Sequence, residues 1–468
     1  MIFSSLFFLF LFLPLVLLSY YLLPQSCRNA ALFLASLIFY AWGEPIYIWL
    51  MLFSIVINYL YGLLLARYEK QPKLAKIILY SSLALNLGLL FFFKYADLIS
   101  QSINFVFGTA LQELNLPLPI GISFYTFQTL SYLLDLYRAE VLPQRNLIAF
   151  GTYVSLFPQL IAGPIVRYQT VAEQLLQRRE DISSFGRGVS RLIIGLAKKV
   201  LLANNLGLLW QEVQQLPAAE LTISGAWLGI IAFALQLYFD FSGYSDMAIG
   251  LGQMFGFTFL ENFNYPYLAQ SITDFWRRWH ISLGTWFREY VYIPLGGNRR
   301  GPRLMYRNLL VVWCLTGLWH GASWNFMLWG LYFGLILAME KAFLGRWLQL
   351  LPCLLRHLYA KVLILLGWVL FVFTDLVKAG QYWQAMFGFN SNGWLDQQTL
   401  YLLTNYGLLL ALAVLCSVPW SKKTIRWGEN ISPAWTYAAA VAAQILLLML
   451  TTAYLVDSTY NPFLYFRF

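Results

Sequence analysis

The sequence predicts an all-α polytopic membrane protein, and three observations carry that prediction. Of its 468 residues 60% are hydrophobic and only 11% are charged, whereas a soluble domain is about a quarter charged. A soluble chain of this length needs a charged surface, so most of this one must face lipid. Apolar runs also recur at the length of about 20 residues that crosses a bilayer as helix. Finally, 18 Trp and 30 Tyr suit the two membrane-water interfaces, where amphipathic rings concentrate.

Taken in order, apolar stretches lie near residues 3–23, 31–66, 76–95, 116–137, 147–166, 190–210, 223–259, 308–338, 358–377, 400–418 and 435–455. The first, MIFSSLFFLFLFLPLVLLSYYLLP, has no basic n-region and is too apolar for too long to be an ordinary signal peptide; it is expected as a retained span. The 31–66 stretch is interrupted by Gly43-Glu44-Pro45 and should form a pair of helices. The 223–259 stretch is expected to break between Asp240 and Asp246. The total expectation is about 11–13 membrane helices in one integral domain over 1–468, with peripheral helices to about 115, a core over about 116–340 and C-terminal helices beyond. The gaps leave no room for a separate soluble domain, and no internal repeat relates the halves.

The net charge of +10 raises the question of nucleic acid, but its distribution answers it. Cations cluster in short gaps between spans: Arg67, Lys70, Lys73 and Lys76; Arg178, Arg179, Arg187 and Arg191; Arg299, Arg300, Arg303 and Arg307; Lys422, Lys423 and Arg426. This is the pattern of positive-inside loops in contact with anionic lipid or a phosphate-bearing cytosolic substrate. There is no basic tail or stacking platform for nucleic acid. Placing Arg28 and the 67–76 cluster on one cytoplasmic side requires the 31–66 stretch to cross twice and puts the N-terminus outside. The four cysteines are scattered, so no disulfide framework and no zinc site is expected.

Two regions break the lipid-facing pattern. YFDFSGYSDMAIG, residues 238–250, places Asp240, Ser242, Tyr244 and Asp246 in an apolar passage. Intramembrane acids face a bundle interior or cavity; they either line a substrate path or are satisfied carboxylates at a polar helix break. The second region is SITDFWRRWHISLGTWFREYVYIPLGGNRRG, residues 271–301. Read as one helix, it aligns Trp279, Leu283, Trp286 and Tyr290 on one stripe with Arg277 and Arg288 opposite. That is too charged to span, so an interfacial or re-entrant segment is expected, ending in a turn at Gly296-Gly297-Asn298. A surface helix on lipid headgroups would explain the arginines and leave His280 unexplained.

The following span carries His320 near the middle of an apolar run, beside Trp319, Gly317, Gly321 and Ala322, with Asn325 just beyond. An intramembrane histidine faces a cavity or bonds between helices. Burial favours the neutral ring, the form a general base needs. Small neighbours suit a narrow channel and tight helix packing equally. Of the three histidines, His357 beside Arg356 suits a solvated or headgroup-facing place. The other two each follow a Trp and are separated by a helix-turn-helix that lets them converge. G-x-S-x-G, P-loop and H-E-x-x-H motifs are absent, which leaves a histidine base acting on an acceptor hydroxyl as the most economical enzyme chemistry.

These segments resemble the membrane-bound O-acyltransferases, in the branch of the bacterial alginate O-acetylation proteins. The resemblance covers nearly the whole chain and rests on LPIGISFYTFQTLSYLLDLYR at 118–138, FPQLIAGPIVRY at 157–168, QLYFDFSGYSDMAIGLG at 236–252, ENFNYPYLAQSITDFWRRWHISLGTWFREYVYIPLGGNR at 261–299, GLWHGASWNFMLWG at 317–330 and the closing DSTYNPFLYFRF. It implies a helical bundle around a central tunnel in the bacterial inner membrane, with the family's essential histidine at His320 and the second motif residue at His280. It further implies acetyl-CoA as donor substrate, no permanently bound cofactor and no metal. The partner it implies is a periplasmic or membrane-anchored acetyltransferase that completes O-acetylation of an exopolysaccharide such as alginate or cellulose. Arg277, Arg278, Arg288, Arg299 and Arg300 either hold the phosphates of coenzyme A, which match arginine forks, or satisfy the positive-inside rule alone. Related branches act on peptidoglycan, on teichoic acid with D-alanine, on lipids and on secreted proteins. The rival from another class is a transporter or flippase using Asp240, Asp246, His280 and His320 as a proton or solute path; a third reading is a scaffold that docks a periplasmic enzyme.

Overall fold

The computed structural model describes every residue except 162, 391, 458–459, 463 and 465–468, and leaves undescribed the side chains of 421–422 and 425–426. Lys422 and Arg426 of the last basic cluster, and part of the closing motif, therefore lie outside the described residues. The described secondary structure is helical, without a strand. Eight helices are long and apolar enough to cross a membrane, and the shorter apolar helix Phe8–Leu22 precedes them.

In chain order the helices are α1 (Phe8–Leu22), α2 (Arg28–Gly43), α3 (Ile48–Arg67), α4 (Pro72–Phe107), α5 (Ile122–Tyr137), α6 (Leu147–Ser155), α7 (Tyr168–Leu176), α8 (Ile182–Gln214), α9 (Ile223–Met254), α10 (Ile272–Arg278) and α11 (Ile281–Phe287). The chain continues with α12 (Pro302–His320), α13 (Trp324–Leu350), α14 (Cys353–Val372), α15 (Leu376–Met386), α16 (Gln397–Cys416), α17 (Trp420–Ile431) and α18 (Pro433–Asp457). The 31–66 stretch divides at Gly43-Glu44-Pro45 into α2 and α3, as its turn residues require. Several expected spans, such as the 16-residue α2 and α5, are about 24 Å long. α5 falls short of a full-length span because, with 13 of its residues buried, it is surrounded by protein and has no hydrocarbon thickness to match.

The expected break in 223–259 does not occur: α9 is one continuous helix of 32 residues. Neither acid needs to interrupt the helix, because each is satisfied sideways by a cation. Asp246 accepts from Arg191 at 2.8 Å, and Asp240 pairs with Lys199 at 2.7 Å. Side-chain pairing leaves the backbone ladder intact.

Contacts divide the chain into two compact units, Met1–Leu192 with Tyr244–Leu260, and Ile193–Gly243 with Glu261–Phe468. Within the first, a β-carbon on Gly188 would lie 2.6 Å from the Gly250 carbonyl, and the reverse holds for Gly250, so α8 and α9 cross there backbone to backbone. An Arg28–Glu180 pair at 2.9 Å and a Tyr20–Arg178 hydrogen bond at 2.8 Å tie the ends of this unit's elements. Arg178 is thus a packed residue and not only a loop charge.

The second unit holds both histidine segments and is built on aromatic packing. Trp276 of α10 wedges against Trp313 of α12 at 4.8 Å and Phe333 of α13 at 5.0 Å, while Trp279 lies 5.1 Å from Trp368 of α14. Where α12 crosses α13, a β-carbon on Gly317 would meet the Phe326 carbonyl and one on Gly330 the Trp313 carbonyl. The small residues beside His320 thus serve close helix packing. Two π-helical turns, Lys198–Ala203 in α8 and Glu340–Leu344 in α13, carry the buried charges Lys199 and Glu340; such turns displace side chains from the regular helical positions.

Candidate active site

The segment around His280 is two short helices and not one. α10 and α11 have seven residues each, and the chain breaks between them with His280 in the left-handed region at φ +46°. That conformation is strained for a residue with a β-carbon, and it is compensated from upstream. The Asn262 carbonyl accepts from the Ile281 N–H at 3.0 Å, and the Asn264 N–H donates to the Arg278 carbonyl at 2.9 Å. The expected stripe nevertheless survives the break: Trp279, Leu283, Trp286 and Tyr290 are all buried, and Arg277 and Arg288 are exposed. At about 10 Å each, neither helix can span, consistent with a segment packed against protein.

Asn262 also sets the chemistry of the His280 ring. Its side-chain oxygen accepts from the Ser282 N–H at 3.1 Å and the Ser282 hydroxyl at 2.8 Å. An amide N–H can only donate, so this end of Asn262 is the oxygen. The same oxygen lies 3.2 Å from His280 Nδ1, which places the ring proton on Nδ1 and leaves Nε2 as the acceptor nitrogen of a neutral ring. Phe241 packs edge-on against the imidazole at 4.7 Å, and His280 is 3% exposed.

His320 occupies the middle of the apolar run but not the middle of a helix. It is the last residue of α12, followed by extended Gly321 before α13 begins at Trp324. Three rings surround it at nearly right angles: Trp329 at 4.9 Å, Trp319 at 5.0 Å and Phe371 at 5.4 Å. Trp319 also stands 6.0 Å from His280. The two buried imidazoles therefore share one indole as a common neighbour, and the convergence read from the helix-turn-helix is realised through it.

The other candidates fall into different places. Asn325 donates to the carbonyl of Leu370 at 3.0 Å and receives the Ser323 hydroxyl; it holds the C-terminal turn of α14, and with it Phe371, against His320. Asp240 accepts from the Leu464 N–H at 2.9 Å besides pairing with Lys199. Lys199 donates further to Asn204 at 2.9 Å and to the Pro462 carbonyl. Ser242 is buried on α9. Tyr244 and Asp246 belong to the first unit, where Tyr244 stacks on Phe3 at 4.6 Å and Asp246 holds Arg191. Arg277, Arg299 and Arg300 are exposed, Arg288 is held by Glu289 at 2.6 Å and Arg278 by Asp274 at 2.8 Å. His357 is half-buried with Nδ1 at 3.1 Å from the Ala269 carbonyl.

Sequence reasoning did not single out Asn262, Lys199, Glu340 or Phe371. Glu340 had a readable signal, a carboxylate in an apolar stretch; Asn262, in the run Glu261-Asn262-Phe263-Asn264, and Phe371 had none.

A family model described as MBOAT, the membrane-bound O-acyltransferase family, matches residues 34–372. A "probable alginate O-acetylase" of Azotobacter vinelandii is 40% identical, covering 100% of both chains. A peptidoglycan O-acetyltransferase of Helicobacter pylori is 36% identical over 83% of this chain and 80% of its own. A teichoic acid D-alanyltransferase of Bacillus subtilis is 29% identical over 48% of this chain and 59% of its own. With its multi-pass helical body and this match over most of its length, the chain belongs to the membrane-bound O-acyltransferase family and is an acyltransferase.

Proposed function

We propose that this acyltransferase takes acetyl from acetyl-CoA on the cytosolic side of the bacterial inner membrane and passes it toward the periplasm. There a periplasmic or membrane-anchored acetyltransferase completes O-acetylation of an exopolysaccharide such as alginate. The observation that carries this reading is the pair of buried imidazoles that both neighbour Trp319, at 5.0 Å and 6.0 Å. The names of the relatives support acetyl as the group and a polysaccharide as its destination.

In this mechanism the acceptor hydroxyl attacks the thioester carbonyl while His320 takes its proton, and the carbon-sulfur bond breaks to release the coenzyme A thiolate, which takes that proton from His320. In the variant path His320 itself accepts the acetyl transiently. A positive charge developing on the ring at the C-terminus of α12 is stabilised by the helix dipole, and the aromatic box excludes water that would otherwise hydrolyse the thioester. In that variant path, with the acetyl on His320, His280 assists by accepting through Nε2 the proton of the attacking hydroxyl. The exposed arginines near 277–300 supply cations for the donor's phosphates. Asp240 and Asp246 are each paired with a cation, which suits structural anchors better than a proton path for transport.

The test is incubation of membranes with labelled acetyl-CoA and the purified partner. Label on the partner or polymer with the wild type, and none with His320→Ala assembled normally with that partner, is the expected result. Wild-type transfer by the alanine variant would sink the assignment.

A further inference from the structure

α10 presents His280 at its C-terminal end, yet a helix of seven residues has almost no stability of its own. Its N-terminus is fastened by a carboxylate from another element. Glu340, buried at 6% exposure, accepts the Ile272 N–H at 2.7 Å on one oxygen. Its other oxygen accepts the Thr273 N–H at 2.8 Å and the Thr273 hydroxyl at 2.6 Å. The Tyr359 hydroxyl donates to the first oxygen at 3.1 Å, and Ser271 caps the Asp274 N–H at 3.0 Å. The amide groups of the first turn, which have no partner within the helix, are thereby satisfied, with the negative charge at the positive end of the helix.

Glu340 opens the π-helical turn of α13, and the same helix carries Trp329, packed on His320 at 4.9 Å. The two positions are eleven residues apart, about 16 Å along the axis. One helix thus touches the ring of His320 and, through Glu340, holds the element that carries His280. A buried carboxylate in a membrane helix is costly without such partners, and this one has four donors.

We propose that Glu340 is a positioning residue for acyl transfer: it locks the N-terminus of α10 to α13, so that the two histidines are set at a fixed separation by one helix. This rests on the role given to His280 above.

The test uses the purified full-length protein and three readouts: kcat and KM for acetyl-CoA, the rate of carbethoxylation of His280 by diethyl pyrocarbonate followed by peptide mass, and the pairing of E340A with H280A. With E340A, kcat falls by about 10–100-fold while KM stays within about twofold, as expected when reacting groups are misplaced and not lost. His280 carbethoxylation accelerates several-fold, and E340A combined with H280A is no slower than H280A alone. E340Q, which keeps one acceptor oxygen, and Thr273→Val, which removes one bond, shift in the same direction by less and carry the test if E340A aggregates. Unchanged kcat with unchanged His280 reactivity, or losses that add in the double variant, overturn the proposal. If H280A keeps full activity while E340A exposes His280 to the reagent, Glu340 stands as the anchor and the catalytic role of His280 falls.

Discussion

The surroundings of the two histidines differ in kind. His280 is oriented by polarity, through the Asn262 oxygen 3.2 Å from Nδ1 and a backbone held at φ +46°. His320 is surrounded by shape, with three aromatic rings within 5.4 Å. A hydrogen bond dictates which ring nitrogen carries the proton; an aromatic box dictates where the ring sits and how dry it is. In the proposed mechanism this contrast suits His280 to the assisting role and His320 to the reacting position.

The comparison breaks first at the histidines themselves. His320→Ala is expected to lower kcat/KM for labelled acetyl transfer by about 1,000-fold or more, and His280→Ala by about 100-fold, within the range for loss of acid-base groups. Equal losses, or the reverse order, would erase the distinction. Next comes the packing that carries His320: Gly317→Ala drives a methyl into the Phe326 carbonyl and should destabilise by about 1–3 kcal/mol. Gly284→Ala, with nothing within 4 Å of its β-carbon, should be neutral or stabilising by up to about 1 kcal/mol. Thermal unfolding in detergent reads both, and a Gly317 variant as stable as Gly284→Ala would refute the close crossing. Asn262→Ala removes the tautomer anchor and should cost about tenfold in kcat, with the loss vanishing in a His280→Ala background; the corresponding pairing with His320→Ala should not show that cancellation. The smallest effect belongs to the exposed arginines: Arg299→Ala with Arg300→Ala is expected to raise KM for acetyl-CoA by only about three- to tenfold, more at low than at high salt.

Much of this geometry is legible in the sequence. The two Trp-His pairs, the buried stripe from Trp279 to Tyr290 and the turn at Gly296 and Gly297 all follow from residue type and spacing, and Gly297 does sit at φ +53°. The break at His280 was not legible, since no proline or glycine marks it and its compensation comes from Asn262 and Asn264, more than a dozen residues upstream. For the same reason α9 was expected to break: two aspartates in an apolar run look disruptive until Lys199 and Arg191 are seen beside them.

What this sequence determined by itself was the solvent and the periodicity. A chain with 11% charge must place its surface in lipid and close its backbone hydrogen bonds within helices, because hydrocarbon offers no partners. Which helix faces lipid and which is enclosed was decided only by tertiary packing. α18 and α9 both read as spans, yet 6% of the apolar window of one and 78% of the other is buried. Hydropathy counts the free energy of leaving water, which is similar for a lipid tail and a neighbouring side chain. The convergence of His280 and His320 on Trp319 depends on close crossings, ion pairs and caps between residues far apart in the chain, and those exist only once the helices have met.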